Sequence, residues 1–194
     1  METPTEPAAS NVSAMASQTR KILITGLPGC GKTTAIIRIV EALGRTEVAG
    51  FYTQEIRENQ TREGFGWRRL DGRAGVLAHV EFRGGPKVGK YGVDVAGFER
   101  DVAPVLDAGR ADVQLFVIDE IGKMECLSPG FVATVRELFT SDKPVLATVA
   151  KKGGGLIAEV KGLEGATLFN LTRQNRDETI AEISRILSFL KAAL

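Results

Sequence analysis

Eight residues, Gly26-Leu27-Pro28-Gly29-Cys30-Gly31-Lys32-Thr33, constrain this chain more than any other stretch. They satisfy G-x-x-x-x-G-K-[ST] at every specified position, between an apolar run and an amphipathic one. The run before them, from Lys21 to Thr25, reads as a buried strand through Ile22, Leu23 and Ile24. The segment after them carries Ile36, Ile37, Val40 and Leu43 on a broad apolar face, with Gly44 placed to end a helix. A strand, a glycine turn and a helix in that order aim backbone N–H groups and a positive helix terminus at one anion. The glycines let the backbone curl tightly enough to do so. Lys32 is expected to reach the β and γ phosphates of a nucleoside triphosphate, and the Thr33 hydroxyl to ligate Mg²⁺. Thr34 is placed for the α phosphate or as an ordinary first-turn residue. Cys30 fills an unspecified position of the nucleotide-binding loop.

From Arg20 onward, strand-like and helix-like segments alternate, which predicts an α/β fold: a mainly parallel central sheet flanked by helices. Val48 to Ile56 reads as a second strand. Gly64 to Leu70 and Ala74 to Phe82 read as an added antiparallel hairpin turning at Asp71-Gly72. Glycine-rich loops then lead past Tyr91 to a helix through Phe98, Val102 and Leu106, which Pro104 should kink or restart. Val113 to Ile118 is a central buried strand, and Ser128-Pro129 caps a helix through Phe139. Val145 to Val149 and Ala166 to Leu171 are two more strands. Asn175 and Glu178 resemble a capping box before a last helix with Ile180, Ile183, Leu187 and Leu190 on its core face.

Residues 20–194 are thus expected to form one domain. Residues 1–19, rich in Ala, Ser, Thr and Pro and without Lys or Arg, read as a disordered extension, with Met15 a candidate start. They have neither the basic and apolar regions of a secretory signal nor the arginines of a transit peptide. Two separated cysteines, Cys30 and Cys126, and one histidine, His79, make neither a disulfide framework nor a zinc site. A reduced, cytoplasmic setting is expected. A net charge of +1 lacks the basic footprint of a nucleic-acid binder, and no apolar run reaches membrane-spanning length. A monomer is the working expectation.

Phosphoryl transfer needs a second metal anchor at the end of a neighbouring strand, and Leu115-Phe116-Val117-Ile118-Asp119-Glu120 has that form. Asp119 is expected to hold Mg²⁺ with Thr33. Glu120 is expected to take the proton of an attacking water, a capping or surface role being the alternative. Asp119-Glu120-Ile121-Gly122 also satisfies the D-x-x-G of GTPase switches, yet no N-K-x-D signature accompanies it, so strong guanine selectivity is not expected.

Four further stretches make the chain resemble the THEP-type nucleoside triphosphatases, within the P-loop NTPase superfamily. Beside Gly26 to Thr34 these are Gly50 to Arg57, Tyr91 to Val95, Val117 to Glu125 and Asn175-Arg176-Asp177. The resemblance spans about Lys21 to the C-terminus. It implies a P-loop NTPase fold and Mg²⁺-dependent hydrolysis of ATP, GTP and other triphosphates to diphosphates, with loose base selectivity.

Other residues keep two readings. Lys123 is a candidate to neutralise γ-phosphate charge or a solvated lysine. Arg176 is a candidate to stack on the base or a helix-terminal surface residue. Glu55 and Arg57 are read as a structural ion pair, His79 as structural, and Phe65, Trp67 and Phe82 as hairpin core. A kinase passing the γ phosphate to a small nucleotide-like acceptor is the rival function, and a nucleotide-dependent switch the third. Residues 57–100 hold nine basic and six acidic residues, a near balance that a solvated hairpin explains.

Overall fold

A computed structural model describes residues 20–44 and 47–192; the extension expected over residues 1–19 lies outside them. Nine strands form one sheet in the order β5-β6-β4-β3-β2-β7-β8-β1-β9. They are β1 Lys21–Gly26, β2 Val48–Glu58, β3 Thr61–Arg69, β4 Ala74–His79, β5 Lys87–Val88, β6 Tyr91–Val93, β7 Leu115–Ile121, β8 Val145–Val149 and β9 Ala166–Leu171. The α-helices are α1 Lys32–Ala42, α2 Val95–Val102, α3 Pro129–Thr140, α4 Leu156–Lys161 and α5 Arg176–Ala192.

β1, β7 and β8 are almost wholly buried because helices cover both faces, the usual condition of a parallel sheet. Their side chains alternate between two cores. Leu23, Phe116, Ile118, Val145 and Ala147 face α2, α3 and α4, represented by Phe98, Phe131 and Ile157. Ile22, Ile24, Leu115, Val117 and Leu146 face α1 and α5, represented by Ile36, Ile39, Ile183 and Ile186. Each fully buried Leu, Ile or Phe contributes roughly 1.5–3 kcal/mol, so these strands cannot slip register without losing a whole face.

β2 changes partner along its length. Val48–Phe51 runs parallel to β7, while Phe51–Glu58 pairs antiparallel with β3. The turn between β2 and β3 is Asn59-Gln60, both with positive φ (45° and 64°), as a tight hairpin with matched twist requires. The expected hairpin of β3 and β4 is present, with Gly72 at φ 98° in its turn. It belongs to a larger antiparallel wing: β6 pairs with β4 and β5 with β6, where loops were expected. Strands of two and three residues carry too little pattern to be read from sequence.

Pro104 does restart the helix: α2 ends at Val102 and a 3₁₀ turn, Ala103–Leu106, takes over. Ser128 caps α3 as expected, its Oγ accepting from the Phe131 N–H at 3.0 Å with Pro129 in the first turn. Asn175 is different from expectation. Its Oδ1 accepts from the Thr172 N–H (2.8 Å) and hydroxyl (3.0 Å), so it pins the loop before α5. β7 runs three residues past Ile118, placing Asp119 and Glu120 inside the strand's end, and α4 was not anticipated.

Candidate active site

The expected loop turns between β1 and α1, with Gly29 and Gly31 at φ 74° and 100°. Gly26 has no room for a side chain: a Cβ there would lie 2.5 Å from the Leu171 carbonyl oxygen and 2.7 Å from Cys30 Sγ. Cys30 is therefore packed inward, holding the turn against β9. Leu27, Pro28 and Gly29 are exposed at the mouth. Gly26, Leu27, Pro28, Gly29, Gly31, Lys32, Thr33 and Thr34 line a cleft of about 1180 Å³, together with Glu120 from β7.

Asp119 is 1% exposed and every oxygen is engaged. The Thr148 hydroxyl donates to Oδ1 at 2.6 Å, and the Thr33 hydroxyl donates to Oδ2 at 2.7 Å. The Thr53 N–H and hydroxyl approach Oδ2 at 3.3 and 3.4 Å. Burial pushes the Asp119 carboxyl above its ordinary range, and the donors from Thr148, Thr33 and Thr53 pull the other way. Such a site gains from a nearby cation, since removing a carboxylate from water costs several kcal/mol when unpaired. Thr33 gives its proton to Asp119 and keeps its lone pairs outward, which suits a hydroxyl ligand to a hard cation. Among the described residues no group of three or more His, Cys, Asp or Glu forms a metal cluster. Mg²⁺ does not need one, because it commonly takes one or two protein ligands and completes its shell with phosphate oxygens and water.

Glu120 follows across a cis peptide bond, its carboxylate 3.6 Å from Lys32 Nζ, with side chains 28% and 11% exposed. Burial raises the Glu120 carboxyl, Lys32 lowers it, and Asp119 raises it further. Glu125, in the 3₁₀ turn after β7, was not singled out from sequence. It is fully buried, and burial pushes its carboxyl up to about 8, with the charges of Glu120 and Asp119 adding. Its Oε2 occupies the space above Gly122, where a Cβ would come within 2.7 Å. The glycine of the D-x-x-G pattern thus makes room for a neighbouring carboxyl.

The structure joins Lys32, Thr33, Asp119 and Glu120 but leaves Lys123 out. Lys123 is exposed and does not line the cleft; Lys151 and Lys152, after β8, do. Arg176 lies against the loop, its Cδ 3.1 Å from where a Cβ on Gly31 would be. Its Nε is buried without a hydrogen-bond partner. Thr53 and Thr148 were missed in the sequence, although a threonine in the otherwise apolar run Val145–Val149 is the kind of signal that marks a buried polar partner. Glu55 and Arg57 do pair, at 2.6 Å, and Arg62 joins them. Trp67 is buried as expected, and Phe65 packs against the same core while also lining the cleft. His79 is half-buried, and its Nδ1 accepts from the Glu81 N–H at 3.3 Å.

A glycine loop under a parallel strand, a lysine and threonine opening the next helix, and an acidic pair on an adjacent strand define a P-loop NTPase. A family model described as NTPase matches residues 21–184, and the chain belongs to that family. It is similar to nucleoside-triphosphatase THEP1 of Thermotoga petrophila, 40% identical over 87% of this chain and 93% of the relative. The corresponding protein of Pyrococcus abyssi is also 40% identical, over 84% and 89%. Among solved structures, THEP1 of Aquifex aeolicus matches with a TM-score of 0.77 and 37% identity over 84% of this chain and 96% of that one. A human cancer-related nucleoside triphosphatase matches at 0.73 and 35%, over 87% and 97%. Among the described residues no helix is long and apolar enough to cross a membrane.

Proposed function

We propose that this protein hydrolyses nucleoside 5′-triphosphates to diphosphate and phosphate in a Mg²⁺-dependent reaction with loose base selectivity. The observation that carries the reading is the 3.6 Å pairing of Lys32 with Glu120 beside the Thr33–Asp119 contact. The loop N–H groups and Lys32 bind the phosphate chain. A triphosphate competes with Glu120 for Lys32, and drawing the ammonium away leaves Glu120 a more basic carboxylate than an exposed glutamate. Glu120 then takes the proton of a water that attacks the γ phosphorus in line with the departing diphosphate. Thr33 and Asp119 are the residues that would hold Mg²⁺, which when bound neutralises charge on the β and γ oxygens.

Arg176 packs on Gly31 where the nucleoside emerges, and a guanidinium plane accepts any base by stacking. Its role, the contribution of Thr34 and the cytoplasmic setting, for which two unpaired cysteines speak, are parts of the same proposal.

The test is phosphate release from ATP, GTP, CTP and UTP with Mg²⁺ and no acceptor. Lys32→Ala should abolish it, and Glu120→Gln should lower turnover by about 10²–10⁴-fold while triphosphate binding is kept. Normal turnover in Glu120→Gln would remove Glu120 as the base. Release that required an added acceptor would replace hydrolysis with kinase chemistry.

A further inference from the structure

The cleft extends beyond the P-loop to the antiparallel wing. Its volume of about 1180 Å³ exceeds the ~1,000 Å³ upper range of ordinary small-molecule pockets. Yet its lining does not include Arg176, the residue proposed above to stack on the base. The base and ribose therefore claim little of this volume, and the extra space lies on the γ-phosphate side. There the wall is the antiparallel wing: Gln54, Glu55, Arg57, Arg62 and Phe65.

That wall is built rather than merely charged. The Arg62 guanidinium lies over the Phe65 ring at 5.1 Å from its centroid and over Tyr91 at 5.9 Å. Phe65 and Tyr91 meet edge to face at 5.2 Å. Arg62 Nε donates to the Tyr91 hydroxyl at 3.0 Å, and Nη1 donates to Glu55 Oε1 at 2.8 Å. The plane is thus fixed on one side while 42% of the side chain remains accessible. A fixed cation–aromatic platform accepts a nucleobase by stacking, with little selectivity among bases. Around it, five cationic side chains line the cleft against two carboxylates, Glu55 and Glu120. Lys32 belongs to the triphosphate and Arg57 is held by Glu55 and the Gln60 carbonyl, which leaves Lys151 and Lys152 facing a further anion. The Lys151 end is anchored: Lys161 Nζ donates to the Lys151 carbonyl at 2.9 Å.

We propose that the γ-phosphate side of this cleft is a second ligand site, occupied together with the triphosphate, that takes a nucleoside monophosphate: its base on the Arg62–Phe65 platform and its phosphate at Lys151 and Lys152. The inference rests on the triphosphate occupying the P-loop. The in-line water enters from the γ side, so a ligand there governs access to the γ phosphorus.

The test titrates AMP, GMP, CMP or UMP into protein saturated with Mg²⁺ and a non-hydrolysable ATP analogue, by calorimetry. Phosphate release from ATP is followed in parallel. A second binding event with about one monophosphate per chain is expected. Arg62→Ala and Phe65→Leu should each weaken it at least about fivefold, the loss of one stacking contact. A monophosphate effect on turnover that raised ATP does not relieve, or label from [γ-³²P]ATP appearing in a diphosphate made from the monophosphate, would also support the site. Binding that vanishes once the P-loop is filled, or that neither variant weakens, overturns it. Phosphate release without monophosphate tests hydrolysis separately, so failure of one reading is distinguishable from failure of the other.

Discussion

On one side of Gly50 the sheet is parallel and its central strands are buried on both faces; on the other it is antiparallel and much of it meets solvent. The parallel side carries acids removed from water, Asp119 and Glu125, held by hydroxyls, backbone N–H groups and close packing. The wing carries acids in water, such as Glu55 and Asp71, paired to arginine. The residues proposed to handle a proton or a metal sit where the scaffold is rigid, and the wing supplies an exposed, charged wall. β2 is continuous through both regions, so its junction should be the most sensitive point.

Gly50→Ala tests that junction. Gly50 has φ 132°, and a Cβ would meet the Val117 backbone, with its N at 2.8 Å and its C at 2.7 Å. Backbone cannot yield as a side chain can, so a loss of about 5 kcal/mol in unfolding free energy, or failure to fold, is expected. Denaturant titration showing a loss below about 1 kcal/mol would mean that β2 and β7 are separable.

Trp67→Ala tests the wing alone. Trp67 is 6% exposed and packs on Gly75, where a Cβ would lie 2.7 Å from Cε2. Removing it should cost about 4 kcal/mol. Hydrogen exchange should accelerate first in β3 and β4 while β1 and β8 stay protected. Equal loss of protection in all four strands would break the distinction between the regions.

How much was legible follows the same division. In the parallel half, the strands are mostly apolar runs bounded by turn residues, so Lys21–Gly26, Val145–Val149 and Ala166–Leu171 are legible nearly to the residue. Lys32, Thr33, Asp119 and Glu120 were readable because phosphate binding imposes local spacing. Thr53 and Thr148 were not, because their role depends on three strands meeting at Asp119. In the wing, β5 and β6 are too short for periodicity, and Phe65 looks like any hairpin aromatic until the fold turns it toward the P-loop. Lys123 lies outside the cleft, as its reading as a solvated lysine allows, while Lys151 and Lys152 line it only because β8 ends beside the P-loop.

The buried acids give the parallel half a pH signature. Glu125 has a folded-state value of about 8 against an ordinary 4.5, so between those pH values the folded chain holds a proton that the unfolded chain has released. Its contribution is therefore fully present below pH 4.5 and is lost as pH rises through about 8. Asp119 and Glu120 are shifted in the same direction. Glu125→Gln, which keeps the shape above Gly122 without the charge, should flatten the fall in stability between pH 5 and 8 by roughly 3 kcal/mol. Thermal melts across that range check it, and an unchanged slope would place the titration elsewhere.

The smallest effect belongs to the wing's own charges. Arg57 pairs with Glu55 through Nε at 2.8 Å, and the two side chains are 55% and 39% exposed. Water and salt screen such a pair, and Arg62 continues to hold Glu55 when Arg57 is gone. Arg57→Ala should therefore change unfolding free energy by less than about 0.5 kcal/mol, and less again at 1 M salt. Urea titrations at low and high salt measure this. A loss above about 1.5 kcal/mol that salt does not reduce would show that the Glu55–Arg57–Arg62 group behaves as a buried network. The wing would then be as rigid a scaffold as the strand ends around Asp119.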